Sequence, residues 1–148
     1  MHLRKLNPPG NQAFTLAEVV ISAAISALTI GGIIYGYIMS AQRAEWSAYS
    51  LAAQSAATLR LEQTRAARWD TQATPQVDEL VSANFTNLVV DLDLPTASGL
   101  RTRATNYTTI TTVTTDPPLK FIRVDCVWQF TTGKVFTNTA ATFRSPDT

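Results

Sequence analysis

Histidine occurs once in this chain, at His2, and cysteine once, at Cys126. A single thiol excludes an intramolecular disulfide. With its one imidazole at the second residue, the rest of the chain has no means of His-based acid–base chemistry, a Ser-His-Asp triad or most zinc sites. Basic clusters are missing as well. The net charge is +1 and no run of Lys or Arg stands in the C-terminal half, which argues against nucleic acid as a partner. Proline is absent from residues 14 to 74, so nothing in that stretch breaks a helix. Between Phe14 and Met39 the only charge is Glu18.

What is present follows from that last absence. Ala13 to Ser40 reads AFTLAEVVISAAISALTIGGIIYGYIMS. About 20 apolar helical residues cover a bilayer core of about 30 Å, so the stretch is long enough to cross a membrane. A lone carboxylate near the start of such a span is costly and marks function rather than packing. A conventional secretory signal has a shorter apolar region followed by a small-residue cut; here the run is longer and its flanks differ. Arg4 and Lys5 precede it and favour an N-inside orientation, with Arg43 after it making the bias modest.

Phe14, Thr15, Leu16, Ala17 and Glu18, continued by Val19, Val20 and Ile21 and preceded by a short basic segment, resemble the N-terminus of type IV prepilins and type II secretion pseudopilins. The resemblance implies a leader over residues 1–13, cleavage between Ala13 and Phe14 by a prepilin peptidase, and N-methylation of Phe14. It also implies a role for Glu18 in charge pairing with a neighbouring subunit's N-terminus during assembly. The buried carboxylate would need such a partner; the plainer role is a carboxylate stabilised by the helix dipole at a membrane interface. The family usually carries Gly before the Phe, and this chain has Ala13. A junction at Gly10, the nearest glycine, would put the glutamate at the eighth position. Removal of residues 1–13 leaves 10 basic against 11 acidic residues, a net charge of −1.

Within the apolar stretch, Gly32 and Gly36 stand at G-x-x-x-G spacing beside Gly31. These glycines serve close helix packing or local loosening of the helix, since glycine costs about 1 kcal/mol relative to alanine; both roles stay open. From Ala41 to Trp69 the chain is alanine-rich helix material. Ala41, Ala44, Ala48, Leu51, Ala52, Ser55, Leu59, Glu62, Ala66 and Trp69 recur at three- and four-residue spacing. They predict one helix from about Thr15 to Trp69, whose second half lays that stripe on a sheet. Arg43, Gln54, Arg60, Gln63 and Arg68 are expected in solvent. Trp46 and Trp69 are expected to anchor the helix.

Thr74-Pro75 predicts a short helix from Pro75 to Ala83. Four strand-like runs follow. Leu88, Val90, Leu92 and Leu94 alternate with Val89, Asp91 and Asp93, and Pro95 to Gly99 reads as a loop. Arg101 to Thr115 holds eight threonines in fifteen residues, suited to a half-exposed pleated surface. Ile122, Val124, Cys126, Trp128 and Phe130 alternate with Arg123, Asp125 and Gln129. Thr131-Thr132-Gly133 is a hairpin connection to a strand from Lys134 to about Phe143. Arg144 to Thr148 reads as a tail. The 148 residues suffice for one small domain and a membrane helix. The expected fold class is α+β, a long N-terminal helix packed on a small antiparallel meander of about four strands, which resembles the pilin architecture. Its divisions are 1–13 leader, 14–40 membrane and filament-core helix, 41–74 soluble half of the helix and linker, and 75–148 sheet. Ala52 to Trp69 and the strand from Ile122 to Phe130 are similar to minor pseudopilins of the general secretion protein I class and to PilV-type minor pilins.

Chemistry is sparse. Asp91 and Asp93 share a strand face but are too few for calcium, which takes six to eight oxygens, and no metal or other cofactor is expected. Cys126 lies on an apolar face with no base to activate it. Asn84-Phe85-Thr86 and Asn106-Tyr107-Thr108 match the N-glycosylation pattern. The expectation is therefore a structural protein, not an enzyme: a minor pilin or pseudopilin of a type II secretion pseudopilus or type IV pilus. Its partners would be other such subunits, the prepilin peptidase, an inner-membrane assembly platform and membrane lipid. The alternative is an uncleaved, membrane-anchored periplasmic binding module that does not polymerise.

Overall fold

The structure, a computed structural model, describes residues 14–92, 94 and 101–147. The leader with Ala13 and Gly10, Asp93 and the 95–99 loop lie outside the described residues. The chain divides into two compact units, residues 1–42 and 43–148.

One 50-residue helix, α1, runs from Leu16 to Arg65. In the first unit it is long and apolar enough to cross a membrane. In the second unit it packs on antiparallel strands, so the fold is α+β, a long N-terminal helix with a meander, as the sequence predicts. Strands β1 (Trp69–Asp70) and β2 (Val77–Asp78) form a separate two-stranded ribbon. A 3₁₀ turn at Ser82–Asn84 leads into the four-stranded sheet. Its strands are β3 (Leu88–Leu92), β4 (Thr102–Thr115), β5 (Pro118–Gln129) and β6 (Val135–Arg144), in the spatial order β3-β4-β5-β6.

The inner face of β5 is the one the alternation gives: Ile122, Val124, Cys126 and Trp128 are fully buried. Gly133, at φ 82°, takes the left-handed conformation that closes the β5–β6 hairpin. Against this face the helix places Tyr49, Ala53, Ala57, Leu61 and Thr64. The expected stripe is therefore out of phase. Leu51 is 72% exposed and Leu59 64% exposed, and Ala48, Ser55 and Glu62 also face solvent. Alanine is so frequent here that it carries no phase; the large residues Tyr49 and Leu61 set it. Where the helix enters the second unit, Tyr49 stacks on Trp128 at 5.7 Å, and Trp128 stacks on Phe136 at 5.1 Å. Such pairs add about 0.5–1.5 kcal/mol each beyond burial. Trp46 joins them edge-on to Phe136 at 5.7 Å.

The helix predicted from Pro75 to Ala83 does not form. The Asp70 carboxylate accepts the amides of Gln72 and Ala73 at 3.0 Å, turning the chain back so that Val77 and Asp78 pair with β1. Lys120 then fixes the ribbon. Its buried ammonium donates to Asp78 Oδ1 at 2.7 Å and Oδ2 at 2.6 Å and to the Leu80 carbonyl at 2.8 Å, and it lies 4.7 Å from the Trp69 ring centre. A buried cation fully paired in this way is costly to unpair. Trp69 is buried, but in β1 rather than on the helix. Residues 144–147 are also more than a tail. Arg144 donates to the Thr64 and Ala67 carbonyls at the helix C-terminus, and Asp147 Oδ2 accepts from the Trp69 amide at 2.9 Å.

Candidate functional site

The first turn of α1 is built around Thr15 and Glu18. The Thr15 amide and hydroxyl both donate to Glu18 Oε2 at 2.9 Å, and the Glu18 amide donates to Thr15 Oγ1 at 3.3 Å. This is a reciprocal capping box, with Thr15 as the cap and Glu18 in the first turn, and it satisfies amides that the helix itself leaves open. The T-x-x-E signal for it stands in the sequence. It places a carboxylate at the positive end of the helix dipole. Among the described residues Glu18 Oε1 meets no hydrogen-bond donor.

From Phe14 to Ile38 the helix buries nothing. Phe14 is 83% exposed, and Ile21, Ile25, Leu28, Ile30, Ile33 and Ile34 are more than half exposed. Two of the hydroxyls in this stretch are turned inward on the backbone: Ser26 donates to the Ser22 carbonyl and Thr29 to the Ile25 carbonyl, both at 2.8 Å. A hydroxyl satisfied this way does not demand water. Gly31, Gly32 and Gly36 are all helical, and a Cβ on any of them would meet nothing within 4 Å. Their small size is not used inside the chain. The structure thus puts Phe14 and Glu18 at one end of an exposed apolar surface and the glycines further along it.

The second unit, residues 43–148, offers little chemistry. No group of three or more metal-ligating side chains occurs among the described residues. Asp91 lies 3.6 Å from Arg101 and 3.5 Å from Arg103, ordinary exposed ion pairs. Cys126 is fully buried, and burial pushes its thiol pKa up to about 11, far from a nucleophile at neutral pH. Asn106 is 1% exposed and so is no glycan acceptor. An apolar groove of about 450 Å³ lies between the helix residues Ala52, Ala56, Leu59 and Arg60 and the β3 residues Leu88 and Val90. Asn106 and Arg60 border it, and Asn106 Oδ1 and Arg60 Nε have no hydrogen-bond partner among the described residues. Two residues expected in solvent are engaged instead. Arg60 donates to the Thr86 carbonyl at 2.9 Å and stacks 5.4 Å from the Phe85 ring centre, while Gln54 accepts from Asn138 at 3.4 Å. Compared with family models, with curated proteins and with solved structures, the chain gives no match.

Proposed function

We propose that this chain is a pilin-like structural subunit, a minor pilin or pseudopilin of a type II secretion pseudopilus or type IV pilus. The observation that carries the reading is a helical stretch, residues 16–38, whose apolar side chains are all exposed and which opens on a single carboxylate, in the sequence context F-T-L-A-E. Exposed aliphatic surface of that extent requires an apolar surrounding. Lipid supplies it before assembly, and the helices of other subunits supply it in a filament. In the membrane the chain is held as a single pass in the inner membrane, N-terminus in the cytoplasm and soluble unit in the periplasm. Cleavage between Ala13 and Phe14 by the prepilin peptidase frees an α-amine, which is then N-methylated.

Glu18 has two tasks in this account. Oε2 caps its own helix, and the free Oε1 receives the positively charged N-terminus of a neighbouring copy. A charge-assisted hydrogen bond in a medium that excludes water selects one axial register over its alternatives. Gly31, Gly32 and Gly36 let neighbouring helices approach or let this one loosen. The work is mechanical, and no step of it calls for an enzyme activity or a cofactor. The test is Glu18→Ala in cells holding the assembly platform and the peptidase. Processing should persist while recovery in sheared filament or pseudopilus fractions falls to background. Normal recovery of the variant would contradict the reading.

The second reading, an uncleaved anchor bearing a periplasmic binding module, is favoured by the groove at Asn106 and Arg60. It predicts that Glu18→Ala changes nothing and that Met1 is retained.

A further inference from the structure

The four-stranded sheet has two outer strands, and the structure shows which backbone groups each turns outward. Ser82, which lies outside the sheet, accepts from the Ile110 amide at 3.2 Å and donates to the Ile110 carbonyl at 3.4 Å. Ile110 therefore faces away from β5. In an antiparallel ladder the two backbone groups of a residue point the same way, and the direction alternates along the strand. The β4–β5 register is unbroken from Ala104 to Thr112, so Ala104 and Asn106 face β3, and their partners Val90 and Leu88 face them. Val89 and Asp91 thus point their N–H and C=O groups off the free edge of β3. Ile122, opposite Ile110, faces β6 and its partner Thr142. Thr137, Thr139 and Ala141 consequently point theirs off the free edge of β6. Among the described residues these outward groups have no backbone partner.

Natural sheets blunt such edges with lysine, proline, a bulge or a covering segment. Strand β6 has no charge from Val135 to Phe143, no proline and an unbroken register. Strand β3 has one charge, Asp91. Two edges left unprotected by the described residues call for a partner, and their polarity says which. In an antiparallel sheet of four strands, β3 and β6 run in opposite directions. A second copy in the same orientation presents β6 antiparallel to the first copy's β3. Antiparallel pairing of β3 with β3 needs a twofold axis normal to the sheet, which would reverse the second copy's helix. Two copies anchored through that helix in one membrane cannot adopt it.

We propose that β3 of one copy pairs with β6 of the next, joining the soluble units head to tail through a continuous sheet. Asp91 then meets only uncharged residues, so no like charges oppose each other. The contact uses different patches on the two partners, so it repeats rather than closes. Four strands at about 4.8 Å place successive helices about 19 Å apart, wider than one helix of about 10–12 Å, so they do not collide. The contact rests on the proposed function only for the shared orientation of the copies.

The test uses the full-length chain in its membrane, with Val89→Cys combined in turn with Thr137→Cys, Thr139→Cys and Ala141→Cys, under mild oxidation. Facing residues in a hydrogen-bonded pair lie about 5.5 Å apart at Cα, within disulfide reach. Inside one chain β3 and β6 are about 14 Å apart by strand spacing, beyond it. One of the three double variants should give a ladder of dimers, trimers and higher species, and every single variant should stay monomeric. Adding Thr137→Pro, or Thr139→Pro where residue 137 carries the cysteine, removes an outward N–H and should abolish the ladder while leaving the melting temperature nearly unchanged. No ladder from any pair, dimers from Val89→Cys alone, or a cross-link to a chain of different mass would each overturn the proposal. N-terminal sequencing of the same sample separates the two claims. A ladder from chains that keep Met1 removes the processed-pilin reading and leaves the contact; a Phe14 start with no ladder does the reverse.

Discussion

The two stretches of α1 treat apolar residues in opposite ways. From Phe14 to Ile38 the large side chains, mostly Ile, Val and Leu, face outward all round the helix. From Arg43 to Arg65 the residues with no exposure at all include two alanines, Ala53 and Ala57, while Leu51 and Leu59 lie outside. The first stretch is matched to an apolar surrounding, where large aliphatic surface costs nothing. The second is matched to a sheet that already supplies the bulk through Trp128, Ile122 and Val124. It offers small residues so that the helix can come close. One continuous helix thus carries two different surfaces, and the difference is written in residue size more than in hydrophobicity.

The largest effect that would sharpen this contrast is at Trp128. Trp128→Ala removes the ring shared by Tyr49 and Phe136 and should destabilise the soluble unit by about 3–5 kcal/mol, read as a drop in its denaturation midpoint. Ile34→Ala should leave that midpoint unchanged. Next is Ile34→Asp, which should oppose membrane insertion by about 2.5–3.5 kcal/mol, read as loss of the chain from carbonate-washed membranes. Insertion at the native level would break the contrast. Ala57→Leu should cost the soluble unit about 1–3 kcal/mol by overpacking, whereas Ala27→Leu in the apolar stretch should be neutral in the same unfolding assay.

The smallest effect is in acid. The Trp69 amide and the Arg144 guanidinium hold the Asp147 carboxyl below the usual carboxylate range. Its folded pKa is depressed relative to the unfolded chain. Its contribution is therefore present above the ordinary aspartate pKa and is lost as pH falls through the depressed value. Asp147→Asn should flatten the decline of stability in that acidic window and leave the apolar stretch untouched, as measured by unfolding at stepped pH.

Much of this was legible in the residues. The alternation of β5, the Thr-rich β4, the hairpin at Gly133 and the long proline-free helix all appear where period and propensity place them. The rest depends on distant partners. The helix phase was hidden because alanine fills several faces at once and only Tyr49 and Leu61 distinguish them. The 75–83 segment reads as a helix locally, but Lys120, some forty residues on, fixes it as the end of a ribbon and a turn. Arg144 looks like part of a tail until the carbonyls at the helix C-terminus are in place for it to cap, and Asp147 until the Trp69 amide is there to donate to it. At Glu18 the T-x-x-E capping box stood in the sequence beside the resemblance, and both uses of the carboxylate fit one residue.

The measurement that tests the central claim most directly is the N-terminal residue and intact mass of the mature protein, isolated from membranes in which its own peptidase is present. A chain that begins at Phe14 and is heavier by one methyl group is the predicted result. A chain that begins at Asn11 moves the junction to Gly10 and separates Glu18 from its assigned place. A chain that keeps Met1 contradicts the account.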